Sequence, residues 1–147
     1  MSTFDADRGY TLVREFDAPR AKVWRAITEA DLFARWFGAD LDVEIIEWDL
    51  TEGGGWKAVM TYEGNAINWA GRFVEIDEPS RLAVRITDEG EIKDTDDVLT
   101  FTLTDQGDRT LVEMRQAGGG LTDEQYLEAK EGSSTFFDAL AKVVASI

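Results

Sequence analysis

"TDEQYLEAKEGSSTFFDALAKVVASI", residues 122–147, decides how the chain is read. Tyr126, Lys130, Ser133, Phe137, Leu140, Val144 and Ile147 recur at steps of four and three. That spacing is one face of a helix, which the flanking signals extend to roughly two dozen residues. Thr122 and Gln125 supply a capping box at its start. A helix this long with one apolar stripe needs a surface to bury it. Gly132, Ser133 and Ser134 interrupt the good helix formers, and Gly alone costs about 1 kcal/mol against Ala. A small residue on the inner stripe leaves room beneath the helix.

The segments upstream supply that surface. "YTLVREFDA" (Tyr10–Ala18) alternates, with Leu12, Arg14 and Phe16 on one side and Thr11 and Val13 on the other. Two short helices follow. Pro19 starts the first, with Asp17 as a candidate cap, and Val23, Trp24 and Ile27 form its stripe. The second begins near Glu29 or Ala30, carries Leu32, Phe33, Trp36 and Phe37, and ends at Gly38.

Six strands are expected next. "LDVEIIEWDL" changes parity at Ile45–Ile46, which predicts a bulge. Trp56, Ala58, Met60 and Tyr62 share a face, as do Ile67, Trp69, Gly71 and Phe73. Leu82, Val84 and Ile86 follow, then Leu99, Phe101 and Leu103, then Val112 and Met114. Short connections make neighbouring strands antiparallel. The predicted fold is α+β: a curved antiparallel sheet of about six or seven strands gripping the C-terminal helix, with two short helices after the first strand. No linker or repeat divides residues 1–147, so a single domain is expected.

Composition narrows the chemistry. The 15 basic and 30 acidic residues give a formal charge of −15, with no Lys/Arg cluster. Neither nucleic acid nor an anionic membrane is an expected partner. There is no apolar run of about 18 residues. "MSTFDADRGY" lacks the layout of a secretory signal. The chain has no cysteine, which points to a reducing, cytoplasmic setting. It has no histidine either, so Ser-His-Asp and Cys-His catalysis and His or thiolate metal sites are excluded. "DEGEIKDTDD" (Asp88–Asp97) lacks calcium-loop spacing and reads as an acidic turn between strands.

Four stretches together resemble the helix-grip superfamily of START lipid-transfer domains, polyketide cyclases and the major birch-pollen allergen. They are "REFDAPRAKVWRAITEADLFARWFG" (14–38), "GGGWKAVM" (53–60), "GRFVEIDEPSRLAV" (71–84) and "FFDALAKVV" (136–144). Within it they are most similar to the bacterial branch named after the activator of the heat-shock-protein-90 ATPase. The resemblance implies a cavity between sheet and long helix. Members of this branch commonly carry Gly-Trp before the Phe-Phe-Asp, and Ser133 stands where that Trp usually is.

A hydrophobic small molecule bound in such a cavity, in a stress-related or other bacterial role, is the expected function. Two alternatives are a cochaperone-like activator of a heat-shock ATPase and a cyclase- or hydrolase-like enzyme using the same cavity. No cofactor is implied.

Aromatic and apolar lining with a few polar anchors is the usual make-up of a ligand site. The candidate lining is Phe33, Trp36, Trp56, Met60, Trp69, Phe73, Phe101, Met114 and Phe137, with Gln116, Tyr126, Lys130 and Ser133 as polar candidates. Trp24 is read as core. Alternation turns Glu113 outward, and Asp138 lies beside the helix stripe facing solvent. No general base is therefore placed in the cavity, and binding rather than catalysis is expected.

Overall fold

A computed structural model describes residues 9–38 and 41–147. The N-terminal stretch that lacks a signal layout lies largely outside them. The elements run β1 (Gly9–Phe16), α1 (Arg20–Thr28), α2 (Ala30–Phe37), β2 (Asp42–Trp48), β3 (Gly55–Tyr62), β4 (Asn65–Asp77), β5 (Arg81–Thr87), β6 (Val98–Asp105), β7 (Thr110–Ala117) and α3 (Asp123–Ser146). The strands form one antiparallel sheet in the order β1-β7-β6-β5-β4-β3-β2. Consecutive strands pair along β2 to β7, as their short connections predict. The first strand closes against the last, with Tyr10 opposite Gln116 and Phe16 opposite Thr110. This is the curved sheet and long helix of a helix-grip fold.

The capping box holds α3 at its start: Gln125 N–H donates to Thr122 Oγ1 at 3.1 Å, and Thr122 N–H to Gln125 Oε1 at 2.8 Å. The helix runs unbroken through Gly132, Ser133 and Ser134. Its buried stripe is Tyr126, Ser133, Phe137, Leu140, Val143 and Val144. Lys130 departs from the predicted stripe and is exposed, while half-buried Ala129 takes the inner position. At 100° per residue, Lys130 falls at one edge of the stripe and Ala129 nearer its centre.

The bulge expected in β2 lies between Ile45 and Glu47. It turns Ile46 out, 58% exposed. A second bulge in β4, between Phe73 and Glu75, has no parity signal that the sequence reading used. Asp17 does not cap α1. Pro19 holds the cap position without any side-chain bond, its ring having already fixed φ.

The floor of the fold is a cluster of rings. Phe33 stacks on Phe37 at 4.6 Å and meets Trp36 at 5.1 Å and Trp56 at 5.2 Å. Two indoles tie neighbouring elements to α1: Trp36 Nε1 donates to Ala26 O at 2.8 Å and Trp48 Nε1 to Thr28 O at 3.1 Å. β3 and β4 approach closely at Gly71, where any Cβ would run into the Trp56 ring. Gly71→Ala should therefore destabilise by about 1–3 kcal/mol, because buried Trp56 has nowhere to go. A urea melt with an unchanged midpoint would contradict it.

Candidate functional site

The deep aromatic space anticipated under α3 is filled. Phe33, Trp36, Trp56, Phe73, Phe101, Met114 and Phe137 surround a void of only about 40 Å³. That is close to one water, so those seven residues act as packed core. Met60 is buried in the core as well, 4% exposed.

The open volume lies further toward the N-terminal half of α3. A cleft of about 470 Å³ runs between that half, the ends of β4 to β7 and the loops that follow β5 and β7. Its apolar lining is Phe37, Trp69, Ile86, Leu99, Leu121 and Phe136. Its polar lining is Thr87, Asp88, Glu89, Asp96, Asp97, Gln116 and Ser133. Gly132 and Ala129 form the helix side, and a Cβ built on Gly132 would meet nothing within 4 Å. Of the weak helix formers, Gly132 and Ser133 thus stand where the helix borders the cleft.

Of the predicted residues, Trp69, Gln116 and Ser133 line this cleft. Tyr126 is buried behind it. Lys130 lies outside, exposed to solvent.

Asp97, Gln116 and Ser133 of this lining join a connected network. Ser133 Oγ and Tyr10 Oη share a hydrogen bond of 2.5 Å. Tyr10 Oη is 2.7 Å from Gln116 Oε1, and Gln116 Nε2 donates to Asp97 Oδ2 at 2.6 Å. Asp97 Oδ1 accepts from the Gly119 amide at 2.6 Å and from the Tyr126 hydroxyl at 2.8 Å. Asp97 is only 8% exposed, so three donors compensate a carboxylate drawn out of water. The stretch read as an acidic turn between strands does connect β5 to β6, and it ends in a buried anchor.

Two network members escaped the sequence reading, Tyr10 and Asp97. The signal for both was parity. Asp97 continues the inward series Leu99, Phe101 and Leu103 by one step, and Tyr10 continues Leu12, Arg14 and Phe16. Gly119 completes the arrangement, because a Cβ there would strike the Asp97 carboxylate.

Burial pushes the Tyr10 phenol above its ordinary 10.0, opposed by its Ser133 hydrogen bond and reinforced by the charge of Asp97. Burial also raises Tyr126, helped by its hydrogen bond to Asp97 and by the charge there. Both phenols stay protonated in the fold at a pH where the unfolded chain ionises. Stability is therefore intact below pH ~10 and falls as pH rises through the folded values. Melts at increasing alkaline pH should show this loss, reduced in Tyr10→Phe. Equal alkaline sensitivity in the parent and in Tyr10→Phe and Tyr126→Phe would contradict it.

The family model described as "Activator of Hsp90 ATPase homolog 1-like protein" matches residues 17–145. No curated protein matches the sequence. Solved structures share the fold at low identity. A protein from Arthrobacter aurescens is 21% identical with a TM-score of 0.82, covering 95% of this chain and 87% of that one. An AHSA1-like protein from Aeromonas hydrophila is 20% identical with a TM-score of 0.72, covering 93% of each. DynU16, from the dynemicin biosynthetic locus, is 20% identical with a TM-score of 0.75, covering 95% of this chain and 48% of that one.

Proposed function

Because the chain belongs to the Activator of Hsp90 ATPase homolog 1-like family, whose helix-grip fold serves more than one role, we propose that it binds a small molecule with a large apolar part in the cleft beside α3. The observation that carries this reading is the cleft itself. About 470 Å³ stands open, lined by aromatic side chains and by members of a hydrogen-bonded polar network, in a molecule whose remaining core is filled. Sites of this size and mixed lining suit drug-sized ligands. Asp97 already accepts three hydrogen bonds from the protein. It is thereby held as a fixed anchor, which favours binding over turnover. A cochaperone role has the family description as its support.

Gly132 provides the test. Gly132→Leu places an apolar side chain into open space, so the fold has no clash to absorb. It also gains helix propensity, by about 0.5–1 kcal/mol. The neutral probe N-phenyl-1-naphthylamine should bind the parent and lose most of its affinity in Gly132→Leu, while the melting temperature holds or rises. Equal probe binding by the two proteins, or none by the parent, would reject the proposal.

A further inference from the structure

The charge around the cleft selects among apolar ligands. Four acids line it, Asp88, Glu89, Asp96 and Asp97, and among the described residues no Lys or Arg does. Nearby cations are engaged elsewhere. Lys93 pairs with Glu89 at 2.9 Å and also feels the charge of Asp96. Arg85 donates to the backbone carbonyls of Asp94 and Asp96, and alternation puts it on the sheet face opposite Ile86. Arg72 reaches Asp94 at 3.5 Å. Asp88 and Asp97, with Asp96 partly offset by Lys93, set the potential inside the cleft.

Asp97 is the strongest of these. Its donors are an amide, a carboxamide and a phenol, all neutral, so its charge is solvated by dipoles but not cancelled. A charge held in a partly dry cleft acts on a ligand with far less screening than one on open surface. The lining also includes the rings of Phe37, Trp69 and Phe136, apolar surface for the body of a ligand. Among the described residues no three carboxylates converge as a metal ion requires, so the charge suits an organic cation.

We infer that the cleft takes an amphipathic amine: an aromatic or alicyclic body carrying an ammonium group. This rests on the binding reading above and narrows it to one charge class.

Three probes of one shape separate the possibilities: 2-(1-naphthyloxy)ethylammonium, 2-(1-naphthyloxy)ethanol and (1-naphthyloxy)acetate. Their affinities are read by calorimetry at fixed salt. The ammonium should bind at least about tenfold tighter than the alcohol, and the carboxylate weakest of the three. Asp97→Asn and Asp96→Asn should shrink the ammonium-over-alcohol ratio. Asp96→Asn serves even if Asp97→Asn folds poorly. Glu113→Gln, exposed on the outer face of β7, should leave the ratio unchanged. A ratio near one with all three probes bound would overturn the amine assignment and leave the binding proposal standing. Equal losses in Asp96→Asn and Glu113→Gln would trace the preference to overall charge and also overturn it. Binding of none of the three would overturn both.

Discussion

Phe137→Ala is expected to cost about 3–5 kcal/mol, a large part of the stability of a domain this size. Phe137 is 2% exposed and projects from the middle of α3. Its ring meets Phe16 of β1 edge-on at 5.9 Å, and the Arg14 guanidinium lies 5.6 Å from its centre. Phe137 thus joins the long helix to the edge strand, a strand held to the sheet on one side only, by β7. Truncation removes the burial of a whole ring and leaves a cavity, since the surrounding aromatics are already packed on one another. Neighbouring Phe136 is half-buried on the cleft wall, so Phe136→Ala should cost less and act mainly on ligand binding. Urea melts of the two variants provide the comparison. A loss under about 1 kcal/mol for Phe137→Ala, or a larger loss for Phe136→Ala, would contradict this account of how α3 is held.

Asp97→Ala should cost about 2–5 kcal/mol, because it strands three donors at once. Tyr126 Oη, Gln116 Nε2 and the Gly119 amide all lose their acceptor. Gln116 and Gly119 line the cleft and can be rewetted, which keeps the cost below the sum of three fully buried orphans. Tyr126, 2% exposed, has less access to water. Asp97→Asn keeps one acceptor oxygen and should recover part of the loss. Asp94, three residues earlier, is a useful contrast. Its side chain is 94% exposed and only 3.5 Å from Arg72, so Asp94→Ala should be close to neutral. Equal melting temperatures for Asp97→Ala and Asp94→Ala would show that Asp97 is no anchor.

Much of the architecture was legible because it is periodic. The steps of α3, the alternation of the strands, Pro19 and Gly38 at the helix ends and the parity change at Ile45–Ile46 are local signals, and each element formed where they pointed. The bulge at Phe73–Glu75 carries the same signal, since Phe73–Val74 is an adjacent apolar pair after which the parity changes to Ile76, but it stands late in a strand already extended to Pro79 by its earlier alternation. Lys130 was misplaced because an alternation of four- and three-residue steps cannot fix the centre of a stripe to within one residue. The exposure of Lys130 and the inward place of Ala129 follow from where β1 and α2 meet the helix.

The site was legible in its polar part and obscure in its volume. Gln116 and Ser133 were found from the face they share with their neighbours. Asp97 lay in a run of acids whose composition reads as solvent-exposed, and composition outweighed the parity that pointed inward. Its partners, Gln116, Gly119 and Tyr126, lie 19 to 29 positions away, so nothing local marks the contact. The sequence by itself determined which residues face inward, through the two periods of helix and strand. Only the tertiary structure decided which of those faces meet and where they leave space. The pairing of β1 with β7 is a closure across the whole chain, and the cleft is the small difference between two large volumes. Phe33, Trp36 and Trp56 fill the deep end with their own rings, while Gly132 and Ser133 are too small to fill the other.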